Sequence, residues 1–226
     1  MKIEILKEII KKESYKKQFS ILTNLKNGNS EIFELGKPLS KEFEDYKKEI
    51  ENYYILKKDG IIKESEIFIH NHIKPIEVII VGAVHIAQYL IEFIKNLNFV
   101  ATIIDPRKNF TSEQRFKNVK IINEWPNEAF KKIETNSNTA LIALTHDPKI
   151  DDPALQHALK KKFFYIGALG SKKTHINRCL RLKETRFSED VIGSIHGPIG
   201  IKLGGKSTPE IALSIVAQLV SETHKL

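Results

Sequence analysis

The residues best suited to hold an anion run from Gly167 through Ala168, Leu169, Gly170, Ser171, Lys172, Lys173 and Thr174 to His175. Glycines let the backbone turn its N–H groups inward, and Ser171 suits the cap of a following helix. A helix N-terminus adds positive potential, so a phosphate group fits this run. The same residues would also serve a plain strand-to-helix turn. A second polar run, Thr145-His146-Asp147-Pro148, precedes Asp151-Asp152-Pro153, which reads as a helix start. Three acids and a histidine within residues 146–152 raise the question of a metal, but no pair of histidines at ligand spacing supports one.

Three further segments carry chemistry. Gly82-Ala83-Val84-His85 joins an apolar run to a helical pattern, and Asp105 follows 23 positions after Gly82. That is where nucleotide-binding folds place the acid that binds a ribose hydroxyl. The middle glycine of the dinucleotide fingerprint is missing, because Val84 stands in its place. A valine occupies the space a pyrophosphate needs and disfavours positive φ. NAD(P) is therefore the less favoured ligand. Arg107 could fork onto an anion or pair with a neighbouring carboxylate. His196 and Gly200 belong to the run Ile195-His196-Gly197-Pro198-Ile199-Gly200. His85, His146, His175 and His196 all fall at strand ends or helix starts, where an imidazole can donate to a ligand or exchange a proton. No nucleophile–base pair is recognisable, so no catalytic residue is assigned.

These segments need a frame to bring them together. After Pro75, short apolar runs (78–81, 100–105, 119–122, 139–144 and 163–167) alternate with helical patterns near 84–97, 151–161, 171–184 and 208–224. That alternation predicts an α/β domain with a Rossmann-like, doubly wound parallel sheet, in which ligands sit beyond the carboxyl ends of the strands. Residues 1–74 read as a small α+β unit. It has a helix over 1–17, a hairpin around Asn27–Ser30, and a second hairpin in which Tyr53–Leu56 and Ile61–Lys63 flank Lys58–Gly60. Residues 75–226 form the larger domain. Thr208 is expected to cap the last helix, with Pro209 at its first position.

The net charge of +8 could signal an anionic partner. However, the sequence has five arginines, and its lysines are spread along the chain. That is a solvated surface rather than the Arg-rich or aromatic cluster nucleic acid demands. No apolar run is long enough for a membrane span, and the N-terminus lacks the apolar core of a signal peptide. Cys179 stands alone, which excludes an intramolecular disulfide and points to the cytoplasm. Mid-helix placement makes it read as an inert thiol.

The order of the polar segments resembles the C-terminal Rossmann domain of the XdhC/CoxI family, the xanthine dehydrogenase accessory proteins. The matching pieces are Gly82 to His85, Asp105-Pro106-Arg107, Gln114-Arg115-Phe116, Thr145 to Leu155, Gly167 to His175, His196 to Gly200, and Thr208 to Ala212. The resemblance implies a chaperone that binds molybdenum cofactor (molybdopterin) in transit and assists its insertion, and its sulfuration, into a xanthine dehydrogenase-type molybdoenzyme. A terminal phosphate of such a pterin cofactor, or of a nucleotide, would suit Gly167–His175. A cysteine desulfurase is a further implied partner, and a homodimer is compatible with the pattern. A nicotinamide-dependent oxidoreductase is the rival function. Two departures stand out: Val84 replaces a family glycine, and residues 1–73 lack the glycine-rich and cysteine-containing segments usual in the family.

Overall fold

The computed structural model describes residues 3–14, 18–73, 75–136 and 138–225. The chain divides into two compact units, Met1–Pro75 and Ile76–Leu226. In the first, helix α1 (Ile3–Ser14) precedes β1 (Phe19–Asn24), β2 (Ser30–Phe33), α2 (Lys41–Glu44), α3 (Lys47–Ile55), β3 (Gly60–Ile61) and β4 (Ile67–His72). The rest of the helix expected over 1–17 lies outside the described residues. The strands form an antiparallel sheet in the order β2-β1-β4-β3. Alternating side chains serve its two faces. Leu22, Phe33, Ile67 and Ile69 meet Phe43 and Ile50 on one, and Phe19 and Ile21 meet Ile9 of α1 on the other. The strand expected at Tyr53–Leu56 is helical through Ile55. Ile50, Tyr53 and Tyr54 are three and four residues apart, so α3 can lay one apolar stripe on the sheet.

The second unit contains β5 (Glu77–Val81), α4 (His85–Asn96), β6 (Val100–Ile104), β7 (Lys120–Ile122), α5 (Pro126–Ala129), β8 (Thr139–Ala143), α6 (Pro148–Lys160), β9 (Tyr165–Ala168), α7 (Lys172–Glu184), α8 (Glu189–Gly193), β10 (Ile195–His196) and α9 (Thr208–Thr223). Its six strands are all parallel, in the order β10-β9-β8-β5-β6-β7. This is the doubly wound Rossmann order, with the switch point between β5 and β8. Both faces are covered. Val78 and Ile80 pack among residues of α4 and α9, whereas Ile79 and Val81 pack among residues of α5 and α6. Burying each such side chain is worth about 1.5–3 kcal/mol, which explains an apolar run without polar alternation. β10 is a two-residue strand too short to show in the sequence pattern.

Helix starts differ slightly from expectation. Ser207, not Thr208, caps α9 in a reciprocal capping box with Glu210. α6 begins at Pro148 rather than near Asp151, because Asp147 accepts a bond from Lys149 N and supplies the cap. Val84 sits at the start of α4 with φ −80°. Its backbone is extended, so the turn asks for no positive φ there, and only its side-chain bulk distinguishes it from glycine.

One buried carboxylate ties the first crossover together. Asp105, at the end of β6, is wholly shielded from solvent. Its Oδ2 accepts from Ala83 N at 2.8 Å, and Arg107 forks onto both oxygens, with Nε at 2.9 Å and Nη2 at 2.8 Å. Burial alone would raise this carboxyl. The Arg107 guanidinium and the backbone N–H groups of Ala83 and Arg107 outweigh it and hold the group below its ordinary range. A depressed carboxyl stabilises the fold above its unfolded pKa, and that contribution disappears as pH falls through the lowered folded value. Asp105→Asn should therefore lower the unfolding free energy by about 2–3 kcal/mol at pH 7 and by much less at pH 2. Urea titrations at both pH values would measure this. Ala87, fully buried between α4 and the sheet, should tolerate no enlargement: Ala87→Leu is expected to cost about 1–3 kcal/mol in the same assay.

Candidate functional site

The polar segments gather along the carboxyl edge of the parallel sheet, but they do not all meet. At the switch point Gly82 leaves β5 with φ +112°. A Cβ there would lie 2.7 Å from Thr145 Cγ2 and 3.3 Å from Thr145 N, so only glycine lets the two turns touch. Asp105 and Arg107 satisfy one another beside this turn, and Arg107 also stacks on Phe110, 4.3 Å from the ring centre. The acid in the ribose position is thus already bonded. His85 is exposed on the first turn of α4.

One step along the edge, the loop after β8 is built around Asp151. This carboxylate is 1% exposed. Its Oδ1 accepts from the Thr145 hydroxyl at 2.6 Å and from Thr145 N at 3.2 Å, and its Oδ2 accepts from His146 N at 3.1 Å. The three bonds hold His146 at φ +61°, a left-handed conformation that a non-glycine residue seldom adopts. Burial outweighs these bonds and raises the Asp151 carboxyl above its usual range. Asp147 is spent on capping α6, and Asp152 on a fork from Arg181, with Nε at 2.6 Å and Nη2 at 3.0 Å.

Facing this loop is the start of α7. Gly170 turns the chain at φ +143°, and Ser171 caps the helix by accepting from Thr174 N at 3.1 Å. His146, Asp151, Ser171, Thr174 and Arg178 line one cavity of about 290 Å³, at the small end for a ligand pocket. Arg178 is 1% exposed, and its Nη2 donates to Leu169 O at 2.9 Å. Neither Arg178 nor Asp151 stood out as a site residue in the sequence. The available signal was helical spacing, because Ser171, Thr174, Arg178 and Arg181 are separated by three, four and three residues and share a face of α7.

Other expected residues sit elsewhere. A Cβ on Gly167 would lie 2.4 Å from Ile199 Cδ1, so its bareness serves packing. Gly200, at φ +95°, donates its N–H to Gln218 Oε1 at 2.8 Å and abuts Ser214. His196 stacks on Tyr165, with ring centres 4.9 Å apart. His175 turns from the cavity: its ring lies against Gly197, and its Nε2 is 3.6 Å from Cys179 Sγ. Burial pushes both imidazoles below their ordinary pKa, with Arg178 adding to the effect at His175. The candidate site residues thus fall into three groups: one at the switch point around Asp105, one around the cavity, and one around Tyr165 and α9. Among the described residues, no three His, Cys, Asp or Glu are placed to hold a metal ion, and no helix is long and apolar enough to cross a membrane.

Comparison with known proteins places this geometry. Residues 78–219, more than half of the chain, match the model of the XdhC Rossmann domain. The chain is 38% identical over 101 residues to the molybdenum cofactor insertion chaperone PaoD of Escherichia coli (strain K12), a match covering 45% of this chain and 31% of that protein. It is 26% identical over 128 residues to a probable xanthine dehydrogenase subunit of Bacillus subtilis (strain 168), covering 56% of this chain and 36% of the other. These matches span about a third of each curated relative's length. A crystal structure from Bacillus halodurans, described as a xanthine dehydrogenase, superposes with a TM-score of 0.73 at 24% identity. That match covers 98% of this chain and 64% of the other, and it confirms the fold. Motif order, strand order and the family match agree: the chain belongs to the family of the XdhC Rossmann domain.

Proposed function

We propose that this protein binds molybdenum cofactor at the carboxyl edge of its parallel sheet and assists its insertion into a xanthine dehydrogenase-type molybdoenzyme. The observation that carries the reading is the cavity between the Thr145–Asp151 loop and α7, floored by a buried arginine. It occurs in a chain whose relative PaoD is a molybdenum cofactor insertion chaperone. Carriage requires reversible grip and shelter rather than turnover. A rim of N–H groups, hydroxyls and cations provides grip for a phosphate without performing chemistry on it.

The proposed role is delivery, with sulfur transfer left to another protein. Cys179 lies well inside α7 rather than at its positive end, is partly buried, and has His175 as its polar neighbour. A sulfur relay needs an exposed thiolate in an electropositive setting. The apoenzyme is the partner such a carrier must meet, and the cytoplasm is where it would meet it.

Gentle purification from cells that make the cofactor, followed by mass spectrometry of the released small molecules, tests the proposal. The expected result is a pterin species in near-stoichiometric amount. Recovery of a nicotinamide dinucleotide instead, with hydride transfer on addition of substrate, would replace carriage with an oxidoreductase. Gly82→Ala should lower cofactor recovery at least several-fold, since the added Cβ drives Thr145 and its loop away from the turn.

A further inference from the structure

Arg178 is the one feature of the cavity that the fold itself leaves unanswered. Its side chain is buried, and Nη2 makes the bond to Leu169 O. Nε and Nη1 are shielded from solvent and have no hydrogen-bond partner. The facing acid does little to satisfy it. Asp151 Oδ2 pairs with Nη2 at 3.9 Å, too far for a hydrogen bond; Oδ2 accepts from His146 N and Oδ1 from Thr145. The other nearby acid, Asp152, is held by Arg181. A buried guanidinium with idle donors is costly unless something anionic completes it.

The surroundings fit such a group. The cavity takes in the first turn of a thirteen-residue helix, α7, whose start carries positive potential. The Ser171 and Thr174 hydroxyls hydrogen-bond one another at 2.9 Å, which leaves one hydroxyl proton for a ligand, and Lys173 lines the same wall. Donors therefore approach from three directions: Arg178 below, the hydroxyl pair at the helix start, and an ammonium at the mouth. A planar or neutral ligand would use few of them. A tetrahedral dianion could use all.

We propose that this cavity is an oxyanion subsite, specific for a tetrahedral dianion of the phosphate class, with Arg178 as its anchoring donor. The oxyanion is either free phosphate or the phosphate ester at one end of a larger ligand. Assigning it to the cofactor's terminal phosphate rests on the carriage reading above, whereas the subsite does not.

Calorimetric titration of the full chain with inorganic phosphate tests the subsite. Wild type should bind it, with sulfate competing and chloride not. Lys173 is exposed and Thr174 half-buried beside it at the cavity wall, so Lys173→Gln and Thr174→Val should fold normally. Each should weaken phosphate binding several-fold, and Arg178→Gln should weaken it by about tenfold or more. Because Arg178→Gln alters a buried position, its circular dichroism and unfolding midpoint are recorded beside the titration. The two mouth variants carry the test if it fails to fold. No heat with phosphate in wild type, or unchanged affinity in both mouth variants, overturns the subsite. Cofactor-loaded protein that no longer takes up phosphate identifies the ester as the native occupant, and undiminished uptake identifies free phosphate. A chain that binds phosphate through these residues yet never yields a pterin removes the carriage reading and leaves the subsite standing.

Discussion

A buried carboxylate organises the cavity edge. Asp151 gathers the Thr145 hydroxyl and two successive backbone N–H groups, and so fixes the loop after β8 in one conformation with His146 left-handed. Bonds between Thr145 and Asp147 close the same loop. Desolvation works against the charge, and the hydrogen bonds work for it. The balance spends the Asp151 hydrogen bonds on its own loop, so its 3.9 Å pairing with Arg178 leaves Nε and Nη1 of the guanidinium without a hydrogen bond.

The parallel sheet sets where this happens. Parallel strands force every crossover to run back to the start of the next strand, so each turn that leaves a strand opens on the same edge. Two of these turns, after β8 and β9, form the cavity. Two others, after β5 and β6, are drawn together by Asp105. Grouping by turn explains why His146 and Thr174 share a pocket, whereas His175, one residue further along α7, points a different way and meets Gly197.

The architecture was largely legible in the sequence, because fully buried strands and amphipathic helices have distinct periods. Every major element of the second unit was expected within a few residues, and so was the glycine turn. The first unit was harder to read. Tyr53 to Ile55 have the composition of a strand, and only packing against the sheet shows them to be helical. Site geometry was legible in part. Motifs identify polar turns, but they do not give the rotation of a helix about its axis, which separates Thr174 from His175. Nor do they show that Asp151, in a run that reads as a helix start, is a loop organiser. Arg178 was hidden for the same reason: within a run of charged residues, nothing local marks the one that is buried.

The Asp105–Arg107 fork has a consequence for ligand choice. A ribose diol arriving at the switch point would offer neutral hydrogen bonds to an acid that already holds charge-assisted ones, which are roughly twice as strong. The guanidinium behaves as a tethered competitor, present at a local concentration no free nucleotide can match. A sugar diol could reach this acid only by opening that internal pairing, whereas a guest with no ribose at that point leaves it intact.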